Sequence, residues 1–125
     1  CRLPGLDASN ARRRAIADRY TQALQGLPVT LPTPVSTACV AHLYVIRVAA
    51  ERRQTLRDGL ARRGVATDVH YPVADHRHPA YRGAPVPDLP VTEAACASVL
   101  SLPCFPSLRE AEQERVIAAL RAELT

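Results

Sequence analysis

The chain has 125 residues and a mass of 13.6 kDa, which suits one domain and excludes two of ordinary size. With 47% hydrophobic and 22% charged residues, we expect a buried core, which excludes a disordered segment. The net charge of +4 does not by itself indicate nucleic-acid binding. Because no apolar run approaches the ~20 residues of a membrane span and no signal peptide is recognisable, we expect a cytoplasmic protein that binds neither membranes nor nucleic acids.

Two residue types are missing from the sequence. All 16 basic residues are arginine, so the chain has no lysine with which to form a Schiff base. It has no methionine either, and we therefore expect it to be processed or to be part of a longer protein. The four cysteines, at positions 1, 39, 96 and 104, lack the paired spacing of zinc ribbons, and two lie in apolar segments, so we expect reduced thiols in the core.

The first half of the chain predicts a helix, a strand and a second helix. Apolar residues recur on one helical face over residues 8–27, with Asp7 or Ser9 as the expected cap. Residues 42–48 alternate as in a half-buried strand, with His42 on the same face as the apolar residues. A helix is expected over residues 50–63, ended by Gly64.

The second half predicts an extended piece, a long loop and two further helices around a short strand. Residues 65–71 alternate, and five prolines between residues 72 and 90 indicate a long ordered loop. Thr92 is the expected cap of a helix that reaches Leu100, residues 100–105 form a strand, and Ser107 with Glu110 forms a capping box for the last helix. This order predicts an α+β two-layer sandwich in a single domain over 1–125, with a small mixed or antiparallel sheet and helices on one face.

Chemically versatile side chains are concentrated between residues 70 and 82, where the loop begins. They allow a metal site, in which His76 and His78 with Asp75 or His70 supply the ligands, although the spacing matches no established zinc motif. A catalytic cysteine beside one of these histidines is a second hypothesis. The candidates for it, Cys96 and Cys104, are both expected to be buried.

A third hypothesis treats the same segment as a recognition loop. Arg77, Arg82 and the histidines would bind phosphate or carboxylate groups, while Tyr71 and Tyr81 stack on a ring or hydrogen-bond to it. The alternative that composition leaves equally open is that both tyrosines pack on the core and the histidines are only solvated.

Four segments carry motifs that occur together in one family. They are residues 3–14 (LPGLDASNARRR), 42–47 (HLYVIR), 70–81 (HYPVADHRHPAY) and 100–103 (LSLP, followed by Pro106). In order they resemble the L-P-x-L-D-x-x-N-x-R-R, H-L-Y-V-x-R, H-Y-P-x-P-x-H-x-Q-P-x-Y and L-S-L-P-x-x-P motifs of the DegT/DnrJ/EryC1/StrS nucleotide-sugar aminotransferases. The resemblance covers essentially the whole chain but only part of the family protein, so the chain looks like the smaller C-terminal domain.

The resemblance has definite implications for function. The full-length protein would be a homodimer that depends on pyridoxal phosphate, and its N-terminal large domain, missing here, would carry the cofactor lysine. Its substrate would be a nucleotide-linked keto sugar of cell-surface polysaccharide or antibiotic biosynthesis. The chain by itself would be inactive, with no catalytic residue, no metal ligand and no covalently bound cofactor. The alternative is a free-standing degenerate module that binds a sugar nucleotide.

The resemblance also implies which residues form the site. Carried over by position, the motifs make His70, Tyr71, His76, Arg77 and Tyr81 the residues that line the sugar-nucleotide pocket.

Three positions of the loop depart from the family pattern. Ala74 stands where the family usually has proline, Asp75 where it has an apolar residue, and His78 where it has glutamine. A new carboxylate and a new imidazole change which sugar or phosphate fits, so the substrate stays open while the expected fold is unaffected.

Overall fold

The structure, a computed structural model, describes residues 3–33, 36, 38–81, 83 and 86–125. Within these ranges lie the helices α1 (Leu6–Leu24), α2 (Ala50–Arg62), α3 (Pro90–Ser98) and α4 (Glu110–Leu124) and the strands β1 (Tyr44–Arg47) and β2 (Val99–Leu102). Single 3-10 turns occupy Leu3–Gly5, Asp75–Arg77 and Pro79–Tyr81. The predicted α+β class is confirmed.

The two strands pair antiparallel and form the centre of the sheet. Tyr44 lies opposite Leu102, and Arg47 lies opposite Val99. One isolated bridge on each side widens the sheet, from Thr30 to Arg47 and from Asp68 to Ser101. The segment expected to be extended over residues 65–71 therefore joins the sheet through a single bridge, and His42, expected on the buried face, is exposed before β1 begins.

The core lies between one face of this sheet and the helices. Tyr44, Ile46, Leu100 and Leu102 point to that face and are almost fully buried. The ring of Tyr20 in α1 packs against that of Tyr44 with centroids 5.1 Å apart. Leu60 of α2 and Leu120 of α4 complete the buried cluster, so three helices cover the same face of the sheet.

Helix α1 begins earlier and ends earlier than its pattern predicts. Gly5 occupies the N-cap position and no side chain caps the helix, so the predicted caps Asp7 and Ser9 are wrong. Both lie inside the helix, because a 3-10 turn at Leu3–Gly5 leads directly into it. The helix ends at Leu24, and Gly26 follows with φ +81°, a conformation that glycine adopts without strain.

The end of α2 agrees closely with the sequence pattern. The helix ends at Arg62, and Gly64 adopts φ +74°. The backbone N–H of Val65 then donates to the carbonyl of Leu60 at 2.9 Å, the backbone arrangement typical of a glycine-terminated helix.

Helices α3 and α4 begin at residues that the sequence patterns did not indicate. The predicted cap Thr92 is wrong, since α3 starts at Pro90, where proline is well tolerated because the first helical N–H needs no partner. The predicted capping box of Ser107 and Glu110 is also wrong. The N-cap is Arg109, and the carboxylate of Glu112 accepts hydrogen bonds from the Arg109 backbone N–H at 2.8 Å and from its guanidinium at 2.7 Å.

No helix within the described ranges has both the length and the apolar character to cross a membrane.

Candidate functional site

The loop that follows the sheet edge begins at a histidine held from two sides. Nδ1 of His70 lies 2.9 Å from the Ser101 hydroxyl oxygen, and its Nε2 lies 3.7 Å from a carboxylate oxygen of Asp68. Ser101 is in β2, and the backbones of Asp68 and Ser101 bond to each other in both directions. The sheet edge thus fixes the direction of the His70 ring.

The two tyrosines of the loop are open to solvent. Tyr71 is 70% exposed and Tyr81 is 50% exposed, so the alternative in which both pack on the core is wrong. The Tyr71 ring meets the His70 ring edge-on with centroids 5.4 Å apart, and the peptide bond between them is cis. An exposed phenol ring beside a fixed imidazole, as at Tyr71, is suited to contact a ligand.

The middle of the loop is tied to α3 by one carboxylate. Oε1 of Glu93 lies 3.0 Å from Nε2 of His76 and accepts a hydrogen bond from Nε of Arg77 at 2.8 Å. Nη2 of Arg77 lies 2.7 Å from the same oxygen in an ion pair. The His76 side chain is only 9% exposed. The hydrogen bond from His76 is the largest cause that lowers the pKa of Glu93 below its ordinary value, and the hydrogen bond from Arg77 is the second.

A cavity of about 470 Å³ lies between the same loop and α3. Asp75 and His78 line it together with Tyr71, and Thr92 and Cys96 of α3 form the rest of its wall with neighbouring loop residues. Successive loop residues therefore face different ways, with His76 and Arg77 turned to Glu93 and their neighbours turned to the cavity. The three departures from the family motif, Ala74, Asp75 and His78, all line this cavity.

The five candidate residues are neighbours along one loop but do not share one cavity. Tyr71 lines the cavity beside α3, while His70 lines a second cavity of about 470 Å³ with Arg57, Asp68 and Ser101. His76 and Arg77 are joined at Glu93. Arg82, the remaining cation of the recognition hypothesis, lies outside the described residues.

The structure gives little support to the metal hypothesis. Within the described ranges no three histidine, cysteine or acidic side chains come together as metal ligands. His76 is bonded to Glu93, whereas His78 faces the other way and its Nδ1 accepts a hydrogen bond from the Ala80 backbone N–H at 3.3 Å.

The cysteines differ in accessibility. Cys104 is 8% exposed, as expected for a core thiol, and burial raises its pKa. Cys96 was expected in the core but is only partly buried, and Cys39 is exposed. Cys1 lies outside the described residues.

Sequence reasoning missed three residues of this region, namely Glu93, Ser101 and Asp68. The alternation of residues 65–71 placed Asp68 and His70 on one side, but nothing local paired that side with Ser101, which is 31 positions away from His70. Glu93 carried a weak signal, because an acidic residue in the first turn of a helix is favourable. That favourable position gave no indication of its partners in the loop.

The fold and the loop define a small α+β unit that presents exposed aromatic and cationic side chains along one loop. Residues 1–121 match the DegT/DnrJ/EryC1/StrS aminotransferase family, and the chain belongs to that family.

Named relatives agree with this assignment. The chain is 45% identical over 124 residues to the dTDP-3-amino-3,4,6-trideoxy-alpha-D-glucose transaminase of Streptomyces venezuelae, covering 96% of this chain and 32% of that protein. It is 41% identical over 125 residues to the erythromycin biosynthesis sensory transduction protein EryC1 of Saccharopolyspora erythraea, covering 97% and 34%. The chain therefore spans about a third of the length of these relatives.

Solved structures share the fold. The S. venezuelae protein DesV, in complex with a ketimine intermediate, superposes with a TM-score of 0.89 at 43% identity, covering 97% of this chain and 33% of that one. NtdA of Bacillus subtilis, with bound cofactor PMP, gives 0.81 at 33% identity, covering 94% and 28%.

Proposed function

We propose that this chain is the C-terminal small domain of a cytoplasmic, homodimeric aminotransferase that uses pyridoxal phosphate and acts on a nucleotide-linked keto sugar. Relatives named as transaminases of dTDP-linked sugars support the substrate class, and a related structure with bound PMP supports the cofactor. The chain spans about a third of the length of those relatives, which supports a large N-terminal domain of the same protein as its partner.

The residues of this chain do not fit as the covalent holder of the cofactor. A Schiff base to pyridoxal phosphate in such enzymes needs a lysine amine, and every basic residue here is arginine. Transamination chemistry is therefore assigned to the large domain, and this chain is assigned to substrate binding.

The role in binding belongs to the loop of residues 70–81. In this proposal Tyr71 and Tyr81 contact the sugar nucleotide directly, since their rings are open to solvent. His70, held by Ser101, orients a hydrogen bond at the pocket wall. His76 and Arg77, both bonded to Glu93, hold the loop that presents these rings. One observation carries the proposal. The Tyr71 ring is exposed and packs edge-on against His70, whose own ring is held in place by the sheet.

The size of the native protein tests the domain assignment. An antibody raised to this chain should detect, in the source cells, a product about three times heavier than 13.6 kDa, because the chain covers 32% of its relative. A native product of 13.6 kDa would contradict the proposal and favour the free-standing sugar-nucleotide-binding module.

A chimera tests the role of the loop. The N-terminal two thirds of the S. venezuelae transaminase, joined to this chain, should transaminate that enzyme's sugar-nucleotide substrate. Tyr71→Ala should raise KM about tenfold through lost ring contacts, and Leu3→Ala, an equally exposed apolar residue at 70%, should leave KM unchanged. Equal KM values for the two variants would show that Tyr71 does not contact the substrate.

A further inference from the structure

We propose that Glu93 is a positioning residue, which clamps the loop of residues 70–81 through His76 and Arg77 so that Tyr71, Asp75 and His78 face the ligand cavity. The proposal rests on the proposed function for the identity of the ligand, a nucleotide sugar, but not for the clamp itself.

The first observation is how the contacts converge. One carboxylate oxygen, Oε1 of Glu93, takes part in contacts of 2.7–3.0 Å with two consecutive side chains of the loop. Hydrogen bonds to charged groups are stronger than hydrogen bonds between neutral groups. Their contribution to stability rises when one partner is shielded from water. His76 provides that shielding, since its side chain is nearly buried.

The second observation is the kind of backbone hydrogen bond that the loop makes among the described residues. The backbone bonds at its centre are short-range turns, from Arg77 to Ala74, His78 to Asp75 and Tyr81 to His78. Turns of this kind do not tie a loop to its neighbours. Residues 71–81 form no pairing with β1 or β2. The Glu93 contacts therefore join the buried Ala74 side chain in anchoring the middle of the loop, and they are the part that ties it to α3.

The third observation is the geometry on the two sides of the 3-10 turn Asp75–Arg77. His76 and Arg77 face Glu93, while Asp75 and the following His78 line the cavity. Fixing the first pair therefore fixes the direction of the second. Glu93 lies one residue from Thr92, which lines the same cavity, so a single turn of α3 supplies both the clamp and part of the wall.

Hydrogen exchange on the full chain tests the clamp without any ligand. In Glu93→Ala the backbone amides of His78 and Tyr81 should exchange about tenfold faster, the scale of one lost charged hydrogen bond, with core amides such as Ile46 unchanged. Glu93→Gln, which keeps an acceptor oxygen, should give a smaller increase. The matched control is Glu114→Ala, which also removes a carboxylate paired with an arginine, Arg19, at 2.6 Å.

A double-mutant comparison separates positioning from general destabilisation. Because His76 acts through the same carboxylate, His76→Ala combined with Glu93→Ala should raise exchange no further than Glu93→Ala alone. Loop exchange in Glu93→Ala equal to that in Glu114→Ala would overturn the clamp, and so would fully additive effects in the double variant.

The chimera described above connects the clamp to binding. Glu93→Ala should raise KM about tenfold and change kcat less than twofold, since a misplaced wall weakens substrate binding without touching the reacting atoms. An unchanged KM would overturn the role of Glu93 in positioning the site. An inactive chimera with the expected change in loop exchange would instead count against the proposed function and leave the clamp supported.

Discussion

Among single residues, burial decides which reactive side chains are available for chemistry. Cys104 lies in the core, its sulfur 3.5 Å from the Ala41 carbonyl oxygen, and burial raises its pKa. Cys39 is exposed. The sequence indicated a core thiol at Cys104 from its apolar neighbours, but no local pattern indicated that Cys39 is exposed.

Thiol labelling tests this difference. Iodoacetamide at pH 8 should modify Cys39 at least about tenfold faster than Cys104 in the native protein, because the reagent needs an accessible thiolate. Peptide mass spectrometry measures both rates, and unfolding in urea should make them similar. Equal rates in the folded protein would contradict the buried position of Cys104.

At the level of elements, the start of α4 shows how a helix end is stabilised. The Arg109 guanidinium and backbone N–H lower the pKa of Glu112 from 4.5 to about 2. Its ionised carboxylate thus satisfies a donor at the helix N-terminus and complements the helix dipole. The sequence contains an S-x-x-E signal two residues before the pair Arg109 and Glu112 that caps the helix.

The pH dependence of stability tests this contact. Because the folded pKa of Glu112 is lowered, its contribution is present above about pH 4.5 and is lost as the pH falls towards 2. Glu112→Gln should lower the free energy of unfolding at pH 7 and flatten its decline between pH 4.5 and 2. Glu110→Gln in the same turn controls for the helix dipole, and parallel curves for Glu112→Gln and the wild type would contradict the assignment.

For the whole molecule, one core holds the helices to the sheet. Leu120 of α4 is fully buried beside Leu60 of α2 and Leu100 of β2, all in one cluster. Such residues can be named from helical and strand periodicity, but their meeting in one cluster requires the tertiary arrangement. Removing contacts from this cluster should destabilise the packing of the helices and of the sheet together.

Urea unfolding tests the core. Leu120→Ala should lower the free energy of unfolding by about 2–5 kcal/mol, since it removes buried methyl groups and leaves a cavity. Leu6→Ala, at a half-exposed leucine of α1, should change it by less than about 1 kcal/mol. Similar losses for both variants would contradict the placement of the core.

The sequence by itself determined the existence of the four helices, the glycine end of α2, the α+β class and the motifs that carry the family resemblance. These features depend on periodicity and on neighbouring residues, and both involve residues that are close together in the sequence. Only the tertiary structure decided where α3 and α4 begin, that Tyr71 is exposed, and that His76 and Arg77 turn to Glu93 while Asp75 and His78 turn to the cavity. The physical reason is distance along the chain, since the contacts of His76 with Glu93 and of His70 with Ser101 join residues 17 and 31 positions apart.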